Sequence, residues 1–518
     1  MDLTFLPILA PVLTLIAAGT AALQTGRSGW TVQLPQWLLL GSFVASVAAT
    51  LSLLQSGDAT SAMFGSDIIG LSVRLDSVSL VMLLLVSFVG WIVTRFSAVY
   101  LDGEPGQGRF TAWLCLTLAA VMLLVIAGNL VQLILAWIAT SLFLHKLLLF
   151  YPARPGAQRA ARKKFWIARI ADGALAGAAV LLYLQYRTVD IATILELARF
   201  DVTSWPAILI ASLLALAAML KSAQFPLHGW LTEVMETPTP VSALLHAGVI
   251  NGGGFLLIRF ADVMLLAPGV MAVLVMVGGF TALFGGLVML TQPAVKTSLA
   301  WSTVAQMGFM ILQCGLALFP FALLHIVAHS LYKAHSFLSA GGAVEMVTQV
   351  RRPGPIAIPD AAAVGRSFVL ALLIYAGIGL LFGVTDKSPQ AIALGAILIF
   401  GVAYLLAQGL ADAAPKALMK RTILYSLVAS ASYFVLQTAS VWTTSDILPA
   451  TPAPGPLQWV LMVLALISFG AVAVVQAMFP LWATHPAAAG LRVHLSNGFY
   501  TNAIFDRLLG SWSRPKSS

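Results

Sequence analysis

Three titratable side chains recur at helical spacing in the stretch FALLHIVAHSLYKAHSFLSAGG. His325, His329 and Lys333 follow one another at intervals of four residues, which places them on one face of a helix, whereas His335 falls on another face. Histidine changes its charge near physiological pH, so this face suits a proton relay. Metal binding is the alternative, because histidines four residues apart can ligate zinc. The stretch holds no cysteine or carboxylate to complete such a site, and we therefore favour the relay.

A lysine interrupts the apolar run ILIASLLALAAMLKSAQFPLHGWL. Pro226 lacks an N–H, so the carbonyl of Ser222, four residues earlier, loses its helical partner. Lys221 therefore stands beside an opened backbone, and we predict a broken helix at this point. A lysine removed from water can gain and lose a proton near neutral pH, which makes Lys221 a candidate proton carrier. The alternative is a lysine whose ammonium reaches the membrane surface beside a proline kink.

The composition indicates where these side chains lie. Hydrophobic residues make up 60% of the 518 residues and charged residues only 9%, whereas a soluble domain carries about 25% charged residues. Apolar stretches recur along the whole chain, each close to the roughly 20 residues that span a bilayer as a helix. We predict an all-α polytopic membrane protein with about fifteen transmembrane helices. The stretches are 3–23, 37–54, 77–94, 110–128, 130–150, 165–185, 205–225, 240–262, 268–290, 297–318, 319–344, 366–385, 389–411, 422–440 and 457–480.

The net charge of +9 follows this topology rather than indicating a nucleic-acid partner. Basic residues concentrate in the loops after odd-numbered stretches, above all in the run 152–164, while Arg74 is one of the few after even-numbered stretches. The positive-inside bias then predicts a periplasmic N-terminus and a cytoplasmic C-terminus. The run 152–164, the Pro-rich stretch 351–360 and the amphipathic tail 488–512 fall on the cytoplasmic side, where each is a candidate docking surface.

Two further titratable residues lie inside apolar stretches. Asp172, in the sixth stretch, has two interpretations of equal weight, an ion pair with Arg169 three residues earlier or a role facing Lys221. His246, in the eighth stretch, is by itself typical of a hydrogen-bonded core histidine. Both become candidates for an ion pathway because intramembrane ionisable residues are usually functional.

Other polar features have a plain structural interpretation. Ser298, Ser302 and Gln306 form a polar stripe in the tenth stretch, and such stripes often only join neighbouring helices. Cys115 and Cys314 are far apart and have the character of small buried hydrophobes, without metal-ligand spacing. The sequence contains no HExxH, Walker phosphate loop or haem motif. We expect no metal and no cofactor on this chain.

Longer motifs resemble a known family. LKSAQFPLHGWLTEVMETPTPVSALLHAGVINGGGFLLIR, KTSLAWSTVAQMGFM and LLHIVAHSLYKAHSFLSAGG are similar to the antiporter-like proton-channel family, which includes the large membrane subunits of respiratory complex I and of Mrp cation/proton antiporters. The resemblance runs from about Arg74 to Glu345. It implies two inverted five-helix repeats, each with a broken helix. The implied divisions are N-terminal transmembrane helices (1–95), a first repeat (96–265), a second repeat (266–415), and C-terminal transmembrane helices with a cytoplasmic amphipathic tail (416–518).

The resemblance also assigns roles to residues. It implies that Lys221 is the central lysine of the broken helix and Asp172 the acid of the sixth helix. The onward relay would consist of His246, His325, His329 and Lys333.

The chain departs from the family pattern in three places. Ile138 stands where complex I and Mrp subunits carry a glutamate paired with the broken-helix lysine. Lys387, in GVTDKSPQ, is the only candidate for the second broken-helix lysine. The sequence also ends soon after VHLSNGFYTNAIFDRLLG, without room for the lateral helix expected of the complex I subunit it resembles.

These departures are typical of one branch. SLFLHKLLLFYPARPGAQRAARKKF resembles the DabB branch, the membrane subunits of two-component inorganic-carbon accumulators of autotrophic and other bacteria. In that branch the membrane subunit is coupled to a cytoplasmic zinc protein, DabA, which resembles a β-carbonic anhydrase. His145 and Lys146 lie near the cytoplasmic end of the fifth helix, where an interfacial pair is the favoured interpretation.

The branch implies a function for the chain within the inner membrane of a bacterium. It would conduct a cation, with the proton favoured over sodium, and drive CO2 hydration on a DabA-like partner that carries the zinc. The chain itself would not be an enzyme. The alternatives are an antiporter-like subunit of an NADH–quinone oxidoreductase and a subunit of a Mrp-type Na+/H+ antiporter.

Overall fold

The computed structural model describes residues 3–24, 29–66, 68–234, 237–341, 360–410, 415–482 and 485–510. Helices dominate these residues, and the described strands form two short antiparallel pairs. The predicted all-α polytopic fold is confirmed.

Two compact units divide the chain. The first contains Met1–Val270, His325–Ala340 and Asp446–Pro449, and the second contains Met271–Leu324, Gly341–Ser445 and Ala450–Ser518. The predicted divisions at 95, 265 and 415 and the two inverted repeats stay predictions.

The helices are numbered in chain order, and short 3-10 turns at Leu3–Ile8, Val249–Asn251, Val384–Asp386, Pro486–Ala488 and Gly498–Tyr500 are left unnumbered. Those before residue 268 are α1 (Leu9–Ala22), α2 (Gly29–Ser56), α3 (Ser77–Tyr100), α4 (Gln107–Val125), α5 (Leu130–Leu148), α6 (Pro155–Tyr186), α7 (Ile191–Arg199), α8 (Trp205–Lys221), α9 (Gly229–Thr232), α10 (Thr239–Ala247), α11 (Gly252–Arg259) and α12 (Ala261–Leu265). Those that follow are α13 (Pro268–Leu290), α14 (Val295–Gly315), α15 (Phe319–Leu338), α16 (Ala361–Leu381), α17 (Pro389–Gly409), α18 (Lys416–Thr444), α19 (Pro456–Ala477), α20 (Phe479–Trp482), α21 (Ala489–Ser496) and α22 (Thr501–Gly510).

Each of the fifteen predicted stretches overlaps helical structure. Among the described residues, eleven helices are long and apolar enough to cross a membrane. Trp205–Lys221 and Pro389–Tyr404 are apolar but shorter. The two remaining stretches lie in α14 and α15, which have sufficient length but carry polar side chains along it. Eleven crossings thus rest on length and composition, and the full number of about fifteen stays a prediction.

A pair of short hairpins connects α2 to α3 in the first unit. Ala59–Thr60 (β1) pairs with Arg74–Leu75 (β4), with Ala59 opposite Leu75. Between them, Phe64–Gly65 (β2) pairs with Gly70–Leu71 (β3). This folded connection ends at Asp76, which begins α3 by accepting a hydrogen bond from the Ser79 backbone N–H at 2.7 Å.

Asp76 also forms ion pairs with two buried arginines. Its Oδ2 lies 2.5 Å from Nε of Arg74 and 2.5 Å from Nη1 of Arg259, at the end of α11. Burial alone would raise the pKa of the Asp76 carboxyl, but the guanidiniums of Arg259 and Arg74 hold that pKa well below its usual range. Asp76 therefore joins β4, α3 and α11 through charged hydrogen bonds.

The placement of the run 152–164 in a loop is wrong for most of its length, because α6 already begins at Pro155. Arg74 does lie in the connection between α2 and α3, as predicted, but it is buried against Asp76. Lys163 is 2% exposed and Lys164 is 6% exposed. Each has a partner on another element. Lys163 Nζ lies 2.5 Å from Oε1 of Glu233, and Lys164 Nζ donates a 2.6 Å hydrogen bond to the carbonyl of Ser141. Charge counting cannot detect such partners, because they are distant in sequence.

The second unit contains the other predicted docking surfaces. Its core packs α16, α17 and α18 around Ala371, Ile399 and Leu406. The tail forms the helices α21 and α22, and Gln292 Nε2 donates a 3.2 Å hydrogen bond to the carbonyl of Ser496 beside it. The Pro-rich stretch 351–360 lies outside the described residues except for its last residue, which begins α16.

Because of its arginine partners, replacing Asp76 should destabilise the protein more than replacing Asp190, although both aspartates cap helices. Asp76→Ala removes a cap and leaves two buried arginines without their carboxylate, a loss of about 3–5 kcal/mol. Asp190 caps α7 by accepting from the Thr193 backbone N–H at 2.8 Å, and Asp190→Ala is the matched control with a loss of about 1 kcal/mol. Thermal unfolding of the detergent-purified proteins measures the difference. Equal unfolding midpoints would contradict the role given to Asp76.

Candidate functional site

The predicted broken helix is confirmed at Lys221. Helix α8 ends at this residue, and the chain becomes helical again only at Gly229, where α9 begins. The carbonyl of Ser222 accepts a 2.8 Å hydrogen bond from Nε2 of Gln224. An opened backbone inside a membrane needs such a replacement partner. The break is therefore stabilised by the side chain that follows it.

An aromatic ring lies beside Lys221, one residue before the position of the missing glutamate. The Lys221 side chain is buried, and its Nζ lies 4.3 Å from the centroid of the Trp137 ring on α5. A cation over an indole face is attracted by the negative face of the ring. The neighbouring Ile138 is the position at which the resemblance implies a carboxylate. Lys221 thus has an attractive partner on α5 that carries no formal charge.

Asp172 pairs with Arg169 and also lies at a cavity shared with Lys221, while its role in transport stays a prediction. Its Oδ2 lies 2.6 Å from Nη2 of Arg169, one turn earlier on α6. The same residue also lines a small cavity together with Lys221, Trp137 and Ser141, and the cavity is large enough for one water molecule. Asp172 is therefore locally paired and also faces the lysine.

Two buried titratable residues of this region were missed by the sequence analysis. Lys164 lines the same cavity, and its Nζ donates to the carbonyl oxygen of Ser141 at 2.6 Å and to its hydroxyl at 3.0 Å. The signal was present, because Lys164 and Asp172 are eight residues apart and share a face of α6. His228 lies buried within the break, with its ring centroid 5.9 Å from that of Phe225.

A second interrupted helix lies next to the break. Helices α10 and α11 are separated by the 3-10 turn Val249–Asn251. His246 is fully buried just before this turn, and its ring stacks on Phe337 of α15 with centroids 4.5 Å apart. Asn251 Nδ2 donates a 2.8 Å hydrogen bond to Ser330 Oγ, also on α15. The interrupted segment therefore contacts the helix that carries the predicted relay.

The structure confirms the predicted placement of the relay face on α15. His329 and Lys333 are 5% and 0% exposed, whereas His335 is exposed. The ring centroids of His325 and His329 lie 5.9 Å apart, and the His329 ring hydrogen-bonds the backbone of His246. Four predicted residues, His246, His325, His329 and Lys333, thus form one cluster in the first unit.

Hydrogen bonds connect this histidine cluster to the cavity at Lys221. Ser222 Oγ donates to the carbonyl of Ile250 at 3.1 Å, which joins the break to the turn between α10 and α11. The next residue of that turn, Asn251, bonds Ser330, and Ser330 adjoins His329 on α15. Two hydrogen bonds thus link the break at Ser222 to α15, and residues adjacent in the chain complete the series between Lys221 and His329.

The weaker candidates lie away from these two clusters or at their margin. Ser302 and Gln306 are on α14 in the second unit. Lys387, also in that unit, lies in the connection between α16 and α17 and donates a 3.1 Å hydrogen bond to Gln437. On α5, Lys146 is exposed and His145 is half-buried.

Comparison with known families gives two matches. Residues 127–353 match the family described as NADH:quinone oxidoreductase/Mrp antiporter, TM, and residues 63–111 match the N-terminus of complex I chain 5. A solved Mrp complex from Dietzia sp. DQ12-45-1b superposes with a TM-score of 0.66 over 99% of this chain and 59% of that chain, at 22% sequence identity. This likeness shows the fold. Fold and sequence together place the chain in the class of antiporter-like membrane proteins.

Curated relatives define the family more narrowly. The chain is 37% identical over 484 residues to the probable inorganic carbon transporter subunit DabB2 of Halothiobacillus neapolitanus, which covers 91% of this chain and 87% of the relative. It is 48% identical over 276 residues to the probable inorganic carbon transporter subunit DabB of Hydrogenovibrio crunogenus, with 53% of each chain covered. The chain therefore belongs to the DabB family of inorganic carbon transporter subunits, as the sequence analysis predicted.

Two adjacent glycines provide a test of how tightly α11 must approach α8. A Cβ on Gly253 would collide with the Ala218 carbonyl oxygen and the Ser222 hydroxyl, whereas a Cβ on Gly252 would lie 3.5 Å from Cε of Lys221, an ordinary contact. We expect Gly253→Ala to lower stability by about 1–3 kcal/mol, since α11 must move away from the break. Gly252→Ala is the matched control and should match the wild type in thermal unfolding. Equal unfolding of the two variants would contradict this packing.

Proposed function

We propose that the chain conducts protons across the membrane and that their flow drives CO2 hydration on a cytoplasmic partner. The observation that carries the proposal is a series of two clusters of buried titratable side chains in the first unit, joined by the hydrogen bonds of Ser222 and Asn251. At one end it contains Lys221 and Asp172, and at the other His246, His329 and Lys333. Burying ionisable groups in a membrane protein is costly, and packing alone does not require them.

The chemistry of this series favours the proton over sodium. A protonated lysine has three donors and no acceptor, so it repels a metal cation and cannot ligate it. Hard cations are held by carboxylate, carbonyl and water oxygens. Asp172 supplies the carboxylate among the residues lining the cavity, and it is engaged by Arg169. Lysine and imidazole groups, in contrast, bind and release protons directly.

Repulsion between neighbouring positive charges provides a means of moving protons along the series. Two like charges in a low-dielectric site disfavour each other, so a proton arriving at one group promotes release from its neighbour. The interrupted helices at Lys221 and at Val249–Asn251 bring polar backbone into the interior. Such irregular backbone is tolerated in membranes where it is enclosed by protein or lines a water-filled cavity. Protons would then move stepwise between the lysines and histidines.

The partner would perform the chemical step. The names of the relatives state inorganic carbon transport, and the DabB branch implies a DabA-like zinc protein resembling a β-carbonic anhydrase. Zinc on that protein would supply a bound hydroxide that attacks CO2 to give bicarbonate, and water addition then releases one proton. This chain contributes the ion pathway and no cofactor. If inward proton flow gates the partner's site, carbon is retained as an anion that crosses the membrane poorly.

The start of α6 is the docking surface that we propose for this partner. Arg154, Arg159 and Arg162 are exposed there. Further along the same helix Lys164 and Asp172 line the cavity at Lys221. A partner bound to the arginines would therefore contact the helix that lines the ion pathway. The tail helices α21 and α22 have exposed apolar residues, which also suit the membrane surface.

A growth assay tests the proposal. Cells lacking carbonic anhydrase are grown in air with this chain, a DabA-like partner, or both, and we expect growth only with both. With the partner present, Lys221→Ala should abolish growth. Lys221→Arg should fail as well, because arginine keeps its proton at these pH values.

An exposed lysine provides the control for this assay. Lys420 is exposed on α18, so Lys420→Ala should grow like the wild type at equal membrane abundance. Growth supported by this chain alone, wild-type growth of Lys221→Arg, or copurification with NADH-oxidising subunits would each overturn the proposal.

A further inference from the structure

Helix α5 presents three residues to its neighbours at successive turns. Trp137, Ser141 and His145 are spaced by four residues and share one face. Trp137 contacts the ammonium of Lys221 at 4.3 Å, and Ser141 accepts two hydrogen bonds from Lys164 at 2.6 and 3.0 Å. The face therefore orders the two buried lysines along α5, with Lys164 one turn nearer to the end of the helix.

His145 continues this order by another turn. Its ring centroid lies 5.4 Å from that of Phe165, the residue after Lys164, and it hydrogen-bonds the backbone of Ala161 on α6. The side chain is half-buried, whereas Lys164 is 6% exposed. His145 thus lies between the enclosed cavity and the more open end of the α5–α6 pair.

The charges around Lys164 argue against a purely structural ion pair. Its hydrogen-bond acceptors are the two neutral oxygens of Ser141. Asp172, the carboxylate lining the cavity, is paired with Arg169, and Lys221 lines the same cavity. The adjacent Lys163, in contrast, has a carboxylate partner in Glu233 at 2.5 Å. One of two neighbouring buried lysines is paired in the ordinary way, and the other faces a second lysine.

We infer that Lys164 is a further proton-carrying residue that connects Lys221 with His145. The inference rests on the proposed proton conduction and extends it, because it names the route between the broken helix and the end of the α5–α6 pair. Protonation of Lys221 repels the proton on Lys164, which passes through the cavity or by the Ser141 hydroxyl toward His145. Each transfer moves one proton from an ammonium to a neutral acceptor, and the donor becomes ready to accept again.

The groups that face Lys164 are contributed by three helices. They are His145 on α5, Arg169 and Asp172 on α6, and Lys221 on α8. Since three of these four carry or can carry positive charge, the occupancy of Lys164 by a proton depends on all of them. The pH dependence of transport therefore reports on the site as a whole, and a change at Lys164 should alter its shape.

The test uses proton flux into membrane vesicles from cells that express the chain together with its DabA-like partner. Lys164→Met removes the titratable group while keeping a similar length, and we expect flux to fall at least tenfold. Lys164→Arg keeps the cation and the hydrogen bonds but does not release a proton, so it should be as slow as Lys164→Met. Lys164→His restores a titratable group, and it should recover flux with a pH profile displaced toward acid, since histidine titrates below lysine.

Lys420→Met is the control, because Lys420 is exposed on α18, away from the proposed pathway and docking surface, and should leave flux unchanged. All variants are compared at equal abundance and with unchanged gel-filtration behaviour. Full flux in Lys164→Met overturns the inference while leaving the proposed function intact. Full flux in Lys164→Arg assigns Lys164 a hydrogen-bonding role and also overturns it. Absence of proton flux in the wild type overturns the proposed function, and the inference with it.

Discussion

The ammonium of Lys221 must be stabilised away from water, and the arrangement of the first unit follows from that requirement. Unpaired buried charge is strongly unfavourable. The structure stabilises the buried ammonium with the face of Trp137 on α5, the Arg169–Asp172 pair on α6, and a helix that ends at the lysine itself. Helices α5, α6 and α8 are held together around a charge that none of them could accommodate alone.

The features that the sequence predicts correctly are those that depend on neighbouring residues in the chain. The break at Pro226 and the face carrying His325, His329 and Lys333 depend on local rules of backbone and spacing, and both are present in the structure. The branch-specific resemblance likewise identified the family correctly. The roles of these residues in transport stay predictions.

Other features depend on partners distant in sequence and could not be predicted. The sequence places Lys164 in a basic run that resembles a loop. Its hydrogen-bond acceptors belong to Ser141, 23 residues away, and a local pattern does not reveal that partner. The Asn251–Ser330 hydrogen bond joins residues 79 apart, and Asp76 meets Arg259 across 183 residues. Local sequence patterns report burial of a helix face. They do not report which helices meet at that face.

The central claim is that this series of lysines and histidines carries protons rather than sodium ions. It is tested most directly by reconstituting the chain with its partner in liposomes and imposing an inside-negative potential, with a pH-sensitive dye inside. Internal acidification is then compared in sodium buffer and in buffer where choline replaces all sodium, alongside uptake of radioactive sodium. The account predicts equal acidification rates in the two buffers and no sodium uptake above that of empty liposomes. Acidification that requires sodium, or sodium uptake that the chain accelerates, would contradict it.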